Sequence, residues 1–216
     1  MPRIALIHAV AVAMPPVHEA FRRLWPEVEC IDILDTSLSR DREREGRLTE
    51  TMTGRFLLLA KYAEDNGAAG VLFTCSAFGE AIEKAAAQTK IPVLKPNEAM
   101  FEAALAAGER LGMLATFEPS VAAMEDEFRE MAGAAGSKTA MSSFCVPGAM
   151  KALQAGDGAE HDQLVAIAAP RFAGHDAVLL AHFSTSRAAA AVRAAVRCPV
   201  LTAPGAAVNK LKGLIG

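Results

Sequence analysis

The chain matches itself. Slid along its own length, the 216-residue sequence places Gly67, Val71 and Leu72 on Gly174, Val178 and Leu179, and Pro92-Val93-Leu94 on Pro199-Val200-Leu201, at one offset of 107. Phe21-Arg22 falls on Phe128-Arg129, and Ile4-Ala5-Leu6-Ile7 on Leu111-Gly112-Met113-Leu114, at the same spacing. Alanine matches carry no weight in so Ala-rich a sequence, but gapless Pro-Val-Leu and Phe-Arg agreement at one offset marks a structural unit used twice. The expected division is an N-terminal domain over 1–97 and a C-terminal domain over 98–206. The repeat also weighs against a leader at the start of the chain. Arg3, the apolar run Ile4 to Ile7 and the Ala11-Val12-Ala13 triplet have the look of a signal peptide. A secretory leader would have no counterpart deep inside the chain, and this segment has one.

Each copy alternates strand and helix patterns. In the first, Ile4 to Ala9 is a short apolar run suited to a buried parallel strand, Val17 to Leu24 is helical, and Val28 to Leu34 is a second strand. Arg40 to Arg47 is a mixed-charge stretch that reads as a solvated loop or a helix start. Phe56, Leu59, Ala60 and Ala63 recur at helical spacing within Thr51 to Glu64, and Asn66-Gly67 supplies a stop. Gly70 to Thr74, a helix over Ala77 to Ala87, and Ile91 to Leu94 complete the unit. The second copy runs Leu111 to Ala115, a helix through Phe128, Thr139 to Val146, a helix around Leu164, Val178 to Ala181, a helix over Arg187 to Val196, and Pro199 to Thr202. Such alternation predicts an α/β fold: two pseudo-symmetric, doubly wound parallel-sheet domains with right-handed crossovers.

Composition narrows the function. Twenty-two Lys and Arg stand against 25 Asp and Glu, a net charge of −3, so the clustered positive charge of a nucleic-acid footprint is missing. With 52% hydrophobic residues the chain can bury a real core, which excludes disorder as a whole-chain description. No stretch approaches the roughly 20 apolar residues of a membrane span. Cys30, Cys75, Cys145 and Cys198 are too far apart for a C-x-x-C motif, and the five histidines show no metal-ligand spacing. A reduced, cytoplasmic protein without a metal is expected.

In parallel α/β sheets ligands bind beyond the carboxyl ends of the strands. Val71-Leu72-Phe73-Thr74-Cys75-Ser76-Ala77-Phe78 ends a strand in the first copy, and Val178-Leu179-Leu180-Ala181-His182-Phe183-Ser184-Thr185 in the second, so Cys75 corresponds to His182. Cys75 lies between a strand end and a helix start, where free N–H groups favour an anion, and an easily formed thiolate is expected there. An inert buried thiol is the competing reading, and it is preferred for Cys30, Cys145 and Cys198. Polar Thr74 and Ser76 favour function for Cys75. His8 ends the first strand and is a candidate to line the same cleft. Lys95, Asn97 and Glu98 read as a solvated loop, and His161-Asp162 and His175-Asp176 as exposed positions.

Thr74-Cys75-Ser76 after Gly-x-x-Gly-Val-Leu-Phe, the duplicated α/β plan, and Gly112-Met113-Leu114-Ala115-Thr116 opening the second copy resemble the Asp/Glu/hydantoin racemase superfamily, over essentially the whole chain. The resemblance implies a small carboxylate-bearing substrate held between two domains, with 207–216 returning to complete the first, and homo-oligomers are compatible with it. Members include cofactor-independent amino-acid, hydantoin and allantoin racemases, arylmalonate decarboxylases and maleate isomerases. Two-cysteine members carry a second Cys where this chain has His182, or Ala181 just before it, and glutamate-type racemases an Asp-Ser pair where it has His8-Ala9-Val10.

The implied activity is a cofactor-independent isomerase, with Cys75 and His182 as catalytic acid/base groups, both titrating near neutrality, on opposite sides of an α-carbon. Thr74, Ser76, Ala77, Thr116, Phe117, Ser184, Thr185 and His8 are the expected substrate-binding positions, the hydroxyls aimed at carboxylate or enolate charge or else capping helices. Phe78, Phe117 and Phe183 would give the pocket an apolar wall. A malonate decarboxylase needing Cys75 alone is the alternative, followed by a non-catalytic binder on the same fold. A thiol hydrolase is disfavoured by Phe73, since a nucleophile elbow wants small residues two positions either side. Redox sensing lacks a resolving cysteine.

Overall fold

A computed structural model describes the whole chain, Met1–Gly216. In order the elements are β1 (Arg3–His8), α1 (Met14–Leu24), β2 (Glu29–Leu34), α2 (Ser37–Glu45), α3 (Glu50–Asp65), β3 (Gly70–Phe73), α4 (Gly79–Gln88), β4 (Val93–Leu94) and α5 (Glu98–Ala107). There follow β5 (Arg110–Ala115), α6 (Val121–Ala134), β6 (Ala140–Cys145), α7 (Ala149–Gln154), α8 (Gly158–Ala168), β7 (Ala177–Leu180), α9 (His182–Thr185), α10 (Ala189–Ala195), β8 (Val200–Thr202) and α11 (Ala203–Ile215). Single 3-10 turns precede α1, α4, α6 and α10. The chain divides into two compact units, Met1–Ala99 with Ala207–Gly216, and Met100–Ala206.

In the first unit the strands are all parallel in the order β2-β1-β3-β4. The central strands β1 and β3 are buried on both faces, which is why they read as unbroken apolar runs rather than alternating ones. One face packs Ala5, Ile7, Val71 and Phe73 under α3 and α4, with Phe56 stacked 5.0 Å from Phe73 and tilted against Phe78 at 4.7 Å. Phe78 is therefore core and not a wall of a ligand pocket. Thr49 caps α3 by accepting from the Met52 N–H at 3.3 Å. Of Arg40 to Arg47, expected as loop or helix start, the part Arg40–Glu45 lies in α2, where Asp41 pairs with Arg44 and with Arg55 of α3, each at 2.8 Å, while Arg55 also bonds Asp35 ahead of the helix.

The last helix joins this unit from Ala207 onward. A Cβ on Gly70 would lie 2.8 Å from the Ile215 side chain and 3.2 Å from that of Leu211. Glycine at the start of β3 thus leaves room for α11, which Lys212 further ties by donating to the Leu24 carbonyl at 3.0 Å. Hydrophobic patterning did not mark α5 or α11, because both are Ala-rich with little amphipathic contrast.

The second unit repeats the sheet as β6-β5-β7-β8, also parallel. β5 and β7 begin at the positions the repeat requires, whereas β6 starts four residues later than the spacing places it. Its core gathers Leu114, Val165, Phe172, Val178, Leu180 and Val192. Phe172 lies directly over Gly112, so closely that a Cβ there would stand 2.2 Å from the ring and 2.7 Å from the Phe172 Cβ. Rotating the ring cannot relieve the second clash. Gly112→Ala should therefore destabilise the protein by about 1–3 kcal/mol through overpacking, read as a lower urea midpoint with an unchanged slope.

Candidate active site

Strand order locates the candidate site within each unit. The chain leaves β1 towards β2 on one side and returns to β3 on the other, so the order reverses between β1 and β3, and likewise between β5 and β7. Diverging crossovers leave a crevice at the carboxyl ends of those strands. In the first unit the residues there are His8 and Thr74-Cys75-Ser76. In the second they are Thr116 and Ala181-His182.

Cys75 is partly buried, with extended backbone, ahead of the turn Ser76–Phe78. Burial pushes its thiol up, and the Ala77 N–H directed at the sulfur opposes this only in part. The easily formed thiolate expected from the helix start is corrected accordingly: desolvation outweighs the N–H, and the group rests as a thiol. Ser76 and Ala77 are exposed, and neither Ser76 nor Cys75 caps the turn through its side chain.

Thr74 also caps nothing. Its hydroxyl meets His8 Nδ1 at 2.9 Å, and His8 Nε2 meets Asp32 Oδ1 at 3.0 Å. His8 is fully buried, so it does not line a cleft as expected, and what it reaches there is Thr74. Burial lowers the His8 pKa, and the bond to Asp32 opposes this. Beyond the fourth strand, Asn97 is buried and Lys95 pairs with Glu83 at 2.7 Å, which corrects the solvated-loop expectation.

In the second unit His182 adopts φ 67°, the only non-glycine residue in the left-handed region. That conformation costs about 1–3 kcal/mol and gathers at functional positions. Its ring is held by Ser120, whose Oγ lies 2.7 Å from Nε2 and 2.8 Å from the Phe117 carbonyl. A carbonyl can only accept, so the hydroxyl proton goes to Phe117 and Nε2 supplies its own. The tautomer assigned in this way leaves Nδ1 a bare lone pair, and Nδ1 is buried with no partner. Desolvation lowers the His182 pKa to about 4, against a smaller opposing effect of the Ala181 backbone. Titration near neutrality, expected from the sequence, is thereby corrected.

The remaining groups sort plainly. Thr116 and Thr185 are buried and bonded to each other at 3.1 Å. Phe117 is 47% exposed while Phe183 is buried, and Ser184 is half-buried. Cys145 ends β6 beside Glu118; burial, and then that carboxylate, push its thiol up to about 11. Burial and Asp32 push Cys30 to about 12. His161, expected at the surface, is fully buried and bonds Asp162 at 2.8 Å, and His175 is half-buried. No three His, Cys, Asp or Glu side chains are grouped to hold a metal ion, and no helix is long and apolar enough to cross a membrane. Asp32, His18, Glu118 and Ser120 are the partners that sequence reasoning missed.

Residues 11–138, more than half of the chain, match the Asp/Glu/Hydantoin racemase family, and the chain belongs to that family. Comparison with curated proteins returns no match. Among solved structures, the fold is similar to an aspartate racemase homologue from Pyrococcus horikoshii, at 15% identity, TM-score 0.75, and coverage of 100% of this chain and 99% of that one. It is also similar to allantoin racemase from Klebsiella pneumoniae, at 17% identity, TM-score 0.72, covering 100% and 88%. A liganded mutant of arylmalonate decarboxylase matches at 19% identity, TM-score 0.66, covering 100% and 93%.

The depressed His182 pKa has a consequence for stability. A histidine whose folded pKa lies below its unfolded value of 6.5 binds protons more readily when unfolded, so stability is held above pH 6.5 and lost as the pH falls towards 4. The loss attributable to His182 should reach about 3 kcal/mol. Urea denaturation at pH 7 and pH 4.5 should show that His182→Gln loses less stability on acidification than the unsubstituted protein.

Proposed function

We propose that the protein is a cofactor-independent racemase or epimerase of a small carboxylate-bearing molecule, an amino acid or a hydantoin-like ring, acting by proton transfer at the carbon beside the carboxyl or carbonyl group. Membership of the family supports this. The observation that carries it is that corresponding positions of the two copies hold a proton donor and a proton acceptor. Cys75 keeps its proton because burial disfavours the thiolate, and His182 offers a bare, unpartnered Nδ1.

Racemisation requires that pair, one group deprotonated and the other protonated. His182 Nδ1 takes the α-proton, the C–H electron pair moves into the carboxylate or carbonyl as an enolate, and the Cys75 S–H delivers its proton to the opposite face. The thiolate and imidazolium that remain return to neutrality through water or run the reaction backwards. Exposed Ser76, half-buried Ser184 and backbone N–H groups of the two turns are the donors proposed for the enolate oxygens.

One observation favours a second reading. An imidazole with a pKa of about 4 is a weak base, and decarboxylation of a malonate-like acid needs none. Carbon dioxide leaves, the resulting carbanion takes the Cys75 proton, and water restores the thiol.

Proton NMR in D2O with enantiopure amino acids, hydantoins and substituted malonates separates these readings. The racemase should exchange an α-proton with loss of optical rotation, and both Cys75→Ser and His182→Gln should lower the rate at least about 100-fold. Release of carbon dioxide from a malonate that survives His182→Gln but not Cys75→Ser would favour the decarboxylase. Binding without turnover would make the protein a carrier.

A further inference from the structure

Four side chains from four elements form one hydrogen-bonded line across the first unit. Thr74 follows β3, His8 ends β1, Asp32 lies in the edge strand β2, and His18 lies on α1. The separations are 2.9 Å from Thr74 Oγ1 to His8 Nδ1, 3.0 Å from His8 Nε2 to Asp32 Oδ1, and 2.9 Å from His18 Nε2 to each Asp32 oxygen. The inner end is fully buried at His8, and the His18 side chain is 34% exposed. Register explains the alignment, since His8 follows Ile7, which pairs with Phe73, while Asp32 pairs with Leu6, two residues before His8 on the same sheet face. Neighbouring Ile4, Leu6 and Leu72 are fully buried and apolar, so the line is a polar seam in a surface that packing alone would keep hydrocarbon.

We propose that Asp32 and His8 are positioning residues that set the direction of the Thr74 hydroxyl proton, and with it what the end of β3 offers a ligand beside Cys75. An ionised carboxylate can only accept, so His8 Nε2 donates to Asp32 and Nδ1 is left as an acceptor. Thr74 therefore donates to His8 at 2.9 Å in preference to the Ile7 carbonyl, 3.4 Å from the same oxygen, and turns only lone pairs outward. Protonation of His8 reverses this. Nδ1 then donates, the Thr74 oxygen accepts, and the hydroxyl proton is freed from His8, with a substrate oxygen competing for it against the Ile7 carbonyl 3.4 Å away. The charged and titratable groups that act on His8 are Asp32 from β2, which favours its protonation, and His18 from α1, which opposes it. Thr74, expected from the sequence to donate to substrate charge, does so only in the protonated state of a residue on another strand.

The functional role rests on the proton-transfer reading of the site, but the hydroxyl's direction can be measured without turnover. Nitrogen-15 NMR of histidine-labelled protein should show His8 as the Nε2–H tautomer at neutral pH. Asp32→Asn should move the His8 titration to lower pH, and His18→Gln should move it to higher pH. The acid limb of the α-proton exchange rate should follow in the same two opposite directions, with KM little changed. A His8 Nδ1–H tautomer, or a titration that both variants shift the same way, would overturn the assigned direction. An exchange profile that stays fixed while the His8 titration moves would overturn the positioning role. Absence of exchange in the unsubstituted protein would defeat the proton-transfer reading instead, leaving the spectra to decide the hydroxyl.

Discussion

Desolvation at the carboxyl ends of the central strands sets the chemistry of both units. β1, β3, β5 and β7 are buried on both faces because helices cover the sheets, and the residues that follow them inherit that burial. A charge there is disfavoured whatever its sign. Cys75 consequently keeps its proton, and His182 and His8 are held towards their neutral forms. In the proposed racemisation a thiol and a neutral imidazole are already the acid and base that proton transfer requires. Two titrations near neutrality would have populated that combination only in part.

The hydrogen bonds around these groups act on direction rather than on charge. Ser120 fixes the His182 ring and leaves the buried Nδ1 without a partner, while Asp32 fixes the tautomer of His8 and thereby the proton of Thr74. In both units a short polar side chain outside the expected site decides which ring nitrogen of a histidine carries the proton. The left-handed backbone at His182 belongs to the same pattern, since local strain is tolerated where the surroundings hold a ring in one orientation.

Much of this was legible in the sequence, and the failures have physical causes. The 107-residue repeat located β5 and β7 from β1 and β3, and the apolar runs marked the buried strands, because both signals are local. The family followed from Thr74-Cys75-Ser76 and the duplicated plan. Protonation states were misjudged because a helix start can be read from sequence and the burial opposing it cannot. A strand end such as His8 looks the same in sequence whether its side chain meets a cleft or a carboxylate two residues up the neighbouring strand. Asp32 did carry a signal, a lone acid inside Cys30-Ile31-Asp32-Ile33, and an acid in a strand beside a buried histidine is a pairing worth seeking. Ser120 carried none, because its partner lies 62 residues away.

In the proposed racemisation two different groups handle the two faces of one substrate carbon, and the position of solvent deuterium tests this most directly. With a racemised enantiomer in D2O, analysed by mass spectrometry at low conversion, a donor and an acceptor on opposite faces place deuterium in the product and leave recovered substrate unlabelled. That is the expected result. Deuterium appearing in recovered substrate as fast as in product would mean that a single group serves both faces, and would contradict the pairing of Cys75 with His182.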